Sequence, residues 1–241
     1  MLRTSKKTAA ALGTLVLACG LAATSPAAAA PVAPVSNTSL SAEEVEEVQA
    51  LLNEAAVEQD AQAGLIAKLQ AGEPWDSMTD ASAVSTSTAE ADGIWSERKV
   101  YADGSVRISE REIPTEISEE SVTPFGVSDC TMAGIAGETQ YNNCWASESV
   151  ILLSAGFDVS YIVGTKNGGR AVISNTGHST VTVFFGNYSD KTLSILQQEA
   201  YTGSPAKAEL NFHFQAGLVN SDGRLQFHLT KAGAAGTSAW F

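Results

Sequence analysis

A chain of 241 residues that is 44% hydrophobic and 17% charged, with a mean hydropathy of +0.01, is neither a charge-rich disordered polymer nor a membrane protein along its whole length. Its 14 basic and 27 acidic residues give a net charge of −13. That balance argues against nucleic acid as a partner, because Lys and Arg supply the affinity for a phosphate backbone.

The first segment is an address. Met1–Lys7 carries Arg3, Lys6 and Lys7, Thr8–Ala23 is apolar or small, and Ala27–Ala30 offers an A-x-A site before Pro31. This order predicts a secretory signal peptide over residues 1–29, cleaved after Ala29, and a secreted, extracellular product. The apolar run is too short to span a bilayer, so no membrane span is expected. A competing pattern is Val16-Leu17-Ala18-Cys19-Gly20, a lipobox whose Cys19 would carry a lipid anchor. The apolar stretch continuing past Cys19 and the complete A-x-A site weigh against it.

Loss of the leader removes three cations, moving the charge from −13 to −16, and leaves Cys130 and Cys144. Two cysteines in an exported chain pair most simply as one disulfide, worth ~3 kcal/mol for a loop of this length in the chain-entropy view. An oxidised sulfur is no nucleophile, and two sulfurs without a nearby histidine make half a metal site. No catalytic thiol and no metal or other cofactor is therefore expected.

Residues 31–121 hold 19 acidic and 5 basic residues, and residues 122–241 hold 8 and 6. The step predicts a boundary near Ser121–Pro124, between an acidic module (41–121) and a second domain (122–241), with Pro124 and Gly126 as linker residues. Residues 30–40 read as a disordered lead. Ser41-Ala42-Glu43-Glu44 is a capping box. Val45, Val48, Leu52, Ala55, Gln59, Ala63, Ile66 and Leu69 then recur at steps of three and four, predicting one amphipathic helix that ends near Ala71-Gly72 before Pro74. Its apolar stripe is thin, which predicts a helix packed within the molecule; the alternative readings are a coiled-coil or partner-binding helix, or part of a removable pro-segment. Gly72–Gly93 reads as a loop, because Ser, Thr, Ala and Asp dominate it. Ile94–Tyr101 and Val106–Ile113, around Asp103-Gly104, read as a hairpin that pairs Tyr101 with Val106 and Lys99 with Ile108. That register puts Trp95, Tyr101, Val106 and Ile108 on one face.

Leu65-Ile-Ala-Lys-Leu-Gln-Ala-Gly-Glu-Pro-Trp-Asp-Ser-Met78, followed by Tyr101-Ala-Asp-Gly-Ser105, resembles the N-terminal segment of a set of uncharacterised secreted actinobacterial proteins, over roughly Ser41–Ile113. The resemblance implies export and a modular layout. It implies no activity and no functional residues.

The second part carries eight candidate strands: Gly126–Met132, Glu148–Leu153, Phe157–Val163, Arg170–Asn175, Thr180–Phe185, Thr192–Gln197, Ala206–Ala216 and Arg224–Thr230. Short strands punctuated by turn residues predict a mainly β fold: a C-terminal antiparallel β-sandwich of about eight short strands with one disulfide, preceded by the acidic helix and the hairpin. Ala208, Leu210, Phe212 and Phe214 face inward, as do Leu225, Phe227 and Leu229.

Recognisable catalytic motifs are missing: there is no G-x-S-x-G, H-E-x-x-H, P-loop or G-x-G-x-x-G. His178, in Asn175-Thr-Gly-His-Ser179, reads as a loop residue rather than a base for Ser179. His213 and His228 fall on the outer face of the last two strands, opposite or diagonal to each other. With Glu209 and Asn211 they offer donors of the kind zinc and copper take, against the plainer reading of two exposed histidines on a polar face. Glu138, Glu148 and Asp158 read as solvated surface, with a sugar or calcium site as the alternative. Trp145, Tyr141, Tyr188, Tyr201 and Trp240 are aromatics that could face outward. The binding candidates are thus His213, His228, Trp145 and Tyr188. The expected function is that of an exported non-enzymatic β-sandwich binding an extracellular glycan, peptide or cell-wall component. The alternatives are a secreted toxin or bacteriocin with an acidic pro-region, and a hydrolase whose site carries no recognised motif.

Overall fold

A computed structural model describes residues 40–116, 130–135, 137–164 and 169–241. The leader, Cys19, the lead up to residue 39 and the expected linker at 121–126 lie outside the described residues. Two helices, α1 (Ala42–Glu54) and α2 (Gln59–Gln70), precede twelve strands: β1 (Ser85–Ala91), β2 (Ile94–Val100), β3 (Val106–Glu112), β4 (Thr115–Glu116), β5 (Thr131–Ile135), β6 (Glu138–Val150), β7 (Leu153–Gly164), β8 (Arg170–Val183), β9 (Gly186–Gln197), β10 (Ala206–Ala216), β11 (Val219–Leu229) and β12 (Ala235–Trp240). No helix among the described residues is long and apolar enough to cross a membrane.

The strands form two sheets. In the first, β6 is the axis: β7 and then β8 pair along one edge, while the other edge is shared end to end by β3 and β5. β2 and β1 extend the sheet beyond β3, and β4 adds a short parallel rung to β5. The second sheet is the antiparallel meander β9-β10-β11-β12. The two inner faces make one core. Leu210, Phe212, Phe214, Leu225, Phe227 and Leu229 meet Ala146, Val150, Leu153, Ala155 and Phe157, all buried. This is the sandwich that the alternation in β10 and β11 predicts, each fully buried large side chain contributing roughly 1.5–3 kcal/mol.

The expected single helix is two. The Ser41 capping box forms, with Glu44 N–H donating to Ser41 Oγ at 3.2 Å and Ser41 N–H to the Glu44 carboxylate at 2.7 Å. α1 then stops at a Schellman motif: Ala56 N–H donates to Asn53 O, Val57 N–H to Leu52 O, and Ala56 takes a left-handed φ of 50°. Leu52 and Val57 bury together at this corner, and Gln62 donates across it to Asn53 Oδ1 and Val57 O. The apolar steps run through the corner unbroken, which is why periodicity alone hides it. α2 ends as expected at Ala71-Gly72 by the same motif. Leu69 and Leu40 pack against Gly217 in the β10–β11 turn, so the helices cover that end of the sandwich.

The hairpin forms with a different register. Its loop is Tyr101–Ser105, with Tyr101 N–H donating to Ser105 O, and the pairs are Val100 with Val106, Arg98 with Ile108 and Trp95 with Arg111. Trp95 therefore lies on the face opposite Val106 and Ile108. The wider loop is held by Asp103, whose carboxylate accepts from Ser105 N–H and Oγ, from Asp76 N–H and from Lys68 Nζ.

The segment expected as a loop before it contains β1, joined to β2 by Asp92-Gly93 with φ of 52° and 77°, the left-handed pair of a tight hairpin turn. All seven β1 side chains are exposed, so a backbone ladder rather than an apolar face holds this edge strand. Elsewhere the expected Glu148–Leu153 strand contains the β6–β7 turn, and the two strands expected at 170–185 are the single β8, which includes His178. The strand at 138–147, broken in its apolar pattern by Gln140, Asn142, Asn143 and Ser147, and the final β12, with Gly236 and Ser238, escaped the pattern. The strands from β6 to β11 run 11 to 14 residues, longer than expected.

The charge step near residue 121 does not coincide with a break in the fold. β3 pairs with β6 from Arg107–Val150 to Arg111–Ala146, and the described residues on both sides of the step belong to one compact unit. Arg107 strengthens the union by donating to Ser77 O and, at 2.9 Å, to Ala239 O near the C-terminus.

Candidate functional site

The sheet edge shared by β3 and β5 has a seam. β5 covers β6 up to Asn142 and β3 covers it from Ala146 onward, so residues 143–145 pair with neither strand. A bulge falls there: Asn143 has φ of 52°, and the β6–β7 register jumps from Tyr141–Tyr161 to Cys144–Val159. Side chains replace the missing strand contacts. Trp145 N–H donates to the Glu112 carboxylate at 2.9 Å, and Asn143 N–H to Ser160 Oγ at 3.1 Å. The expected Cys130–Cys144 disulfide forms at the same point, with sulfurs 1.95 Å and Cα atoms 4.1 Å apart.

The seam opens into a pocket of about 200 Å³. Trp95, Ile113, Pro114, Trp145, Tyr161 and Phe227 supply most of its apolar wall, while Arg111 and Glu112 are its charged members. Arg111 with Ala146, and Glu112 with Trp145, belong to opposite faces of the sheet. They can line one cavity because the sheet is interrupted between them.

Each wall has an evident support. Arg111 lies opposite Trp95 across β2 and β3, its guanidinium 4.2 Å from the indole centroid, and its Nη1 donates to Ala235 O at 2.6 Å. Nε is shut off from solvent with no acceptor among the described residues. Burial pulls the Arg111 pKa down, with the Tyr161 phenol and Glu97 opposing. Tyr161 stacks on Tyr141 at 4.5 Å and meets Phe227 at 5.5 Å. Burial, then the neighbouring Tyr141, pushes the Tyr161 phenol up to about 12, so it stays protonated.

Of the residues singled out in the sequence, Trp145 reaches this site. Its indole lies directly over Gly156, where an added Cβ would fall 2.2 Å from Cζ2, so only glycine admits it. Asp158 is its cross-strand partner, and the His178 ring is 6.0 Å away. Burial pushes the Asp158 carboxyl up, with His178 opposing. Tyr188 is elsewhere: it sits on β9 opposite Phe214, is exposed, and has Lys191 Nζ 5.9 Å from its ring.

His213 and His228 do not meet. The β10–β11 turn is at Gly217-Leu218, which sets His213 against Asp222 and His228 against Lys207. Six residues along β10 then separate the two positions, on the order of 20 Å. His213 Nδ1 pairs with Asp222 at 2.9 Å, and His228 Nε2 with Ser238 Oγ at 2.6 Å. The zinc or copper arrangement with Glu209 is therefore not assembled, and no cluster of three metal-ligating residues occurs among the described residues.

Glu148 is not solvated surface but core. It is buried between the sheets, its Oε1 accepts from Ser109 Oγ at 2.8 Å and Thr237 Oγ1 at 2.7 Å, and its Oε2 has no partner among the described residues. Burial pushes its carboxyl above the usual range, against the hydroxyls of Thr237 and Ser109.

Trp95, Arg111 and Tyr161 were not legible as site residues. Trp95 and Arg111 could have been matched as a cross-strand pair, but only with the five-residue loop between their strands. No protein-family model, no curated protein and no solved structure matches the chain.

Proposed function

We propose that this protein is an exported, non-catalytic β-sandwich that binds an extracellular peptide or cell-wall component in the seam pocket. The observation that carries this reading is the aromatic-walled cavity of about 200 Å³ at the interrupted sheet edge. It is smaller than a typical small-molecule site of roughly 300–1,000 Å³, and so suits one residue of a polymer rather than a whole cofactor. Its walls favour an apolar side chain over a sugar ring, whose hydroxyls would each need a polar partner. The β3–β6 ladder speaks against an acidic segment that is discarded on maturation, since losing β3 would strip the edge of β6.

Trp95 and Trp145 line the pocket, so tryptophan fluorescence reports its occupation directly. Soluble peptidoglycan fragments and a mixed peptide pool should shift the emission. Ala235→Phe, which projects a ring into the cavity, should weaken that binding at least tenfold with the melting curve unchanged. Equal affinity in the variant would overturn the pocket as the site. A second reading rests on Trp145 laid over Gly156 beside Asp158 and His178, a flat aromatic with a carboxylate at its flank that a glycan could cover. Retardation by a neutral polysaccharide that Trp145→Ala abolishes and Ala235→Phe leaves intact would favour it.

A further inference from the structure

Resting on the pocket reading, we infer that the bound residue carries a free carboxylate, received by Arg111 while its apolar body fills the cavity. A partly desolvated cation is costly unless it is paired. Other long basic side chains near the helices and hairpin are well supplied: Lys68 holds Asp76 and Asp103, both at 2.9 Å, and Arg107 donates to two backbone carbonyls. Among the described residues, Arg111 has a single hydrogen bond, from Nη1 to Ala235 O, and forms no ion pair. Nε is buried without an acceptor among the described residues, where Nη1 alone makes a hydrogen bond. The stack on Trp95 and the bond to Ala235 fix the plane of the group, so its ordering is completed before a ligand arrives.

The neighbours select the anion. Trp145, Tyr161, Val159 and Phe227 demand an apolar body, and the volume admits roughly one large side chain. Glu112 lies in the same pocket, its carboxylate already engaged by Trp145 N–H, and its charge disfavours a dianion such as phosphate. A monoanionic carboxylate on an aromatic or aliphatic residue fits both demands. The C-terminal residue of a peptide and a free N-blocked amino acid share this chemistry.

Isothermal titration tests the inference in the full secreted chain. The probes are N-acetyl-phenylalanine, its carboxamide, and a five-residue peptide ending in Phe with a free or an amidated terminus. The free acids should bind about tenfold or more tighter than their amides, the size expected of one charge-assisted hydrogen bond. The preference should fall as salt rises and vanish in Arg111→Gln. Preference for the acid in both probe pairs means the site reads the terminal residue wherever it occurs. Preference in the peptide pair alone identifies a peptide terminus, and in the small pair alone a free amino acid. Equal binding of acid and amide in the unaltered protein overturns the inference, and that comparison needs no variant to fold. If no acid binds while Ala235→Phe still abolishes binding of wall fragments, the carboxylate inference fails and the pocket reading stands. If Ala235→Phe leaves every ligand bound, the pocket reading fails as well.

Discussion

Replacing Asp103 with Asn should uncouple the helices from the hairpin in a pH-dependent way. Asp103 sits at the junction: its carboxylate receives Lys68 of α2, the Asp76 N–H after that helix, and the N–H and hydroxyl of Ser105. Burial opposes its ionisation, but these four donors prevail and hold the carboxyl at about 2, against an ordinary 3.8. At 1.36 kcal/mol per unit this corresponds to about 2.4 kcal/mol of stabilisation. Lys68 is about a third exposed, so solvent screening reduces the expected value to about 1–2 kcal/mol. The sign follows from the direction: a depressed carboxyl stabilises above the unfolded value and loses that contribution as the pH falls from about 4 through about 2. Asn cannot accept from four donors, and it does not titrate. Urea unfolding followed by tryptophan fluorescence at pH 6, 4, 3 and 2.5 should therefore show Asp103→Asn about 1–2 kcal/mol less stable at pH 6, with the gap closing toward pH 2. A gap that stays constant across this range would refute the reasoning.

Ala56→Gly should raise stability by about 0.5–1 kcal/mol in the same urea assay, because Ala56 occupies the left-handed position between the helices that glycine takes without strain. Cys144→Ser should lower it by about 2–4 kcal/mol, a difference that disappears when both proteins are compared under a strong dithiol reductant. For Glu148 the folded carboxyl is pushed up, so the unfolded chain ionises first as pH rises through about 4.5, and the native protein loses stability from there upward until the buried group itself ionises. Glu148→Gln should remove that downward slope above about pH 4.5; an unchanged slope assigns the pH dependence to other groups.

Much of the sandwich was readable because the deciding forces are local or strictly periodic. The Ser41 capping box needs only residues three apart, and the inward series Ala208–Phe214 and Leu225–Leu229 needs only the two-residue repeat of a strand. The disulfide followed from Cys130 and Cys144 being the two cysteines outside the expected leader. The seam pocket was legible through one residue, Trp145, and otherwise not.

What only the tertiary structure decided has a common cause: partners distant in the chain outweighed local preference. Ser85–Ala91 and the Asn-rich start of β6 have loop-like compositions, and both are strands because neighbouring ladders satisfy their backbone. Lys68 and Asp76, far from the hairpin, hold the Asp103 loop that turns Trp95 toward Arg111 instead of Val106. The turn at Gly217-Leu218 parts His213 from His228. The pocket itself joins β2, β3, β6, β7, β11 and β12 at a gap in a sheet edge, and a gap between strands is a property of their pairing that no single stretch of sequence contains.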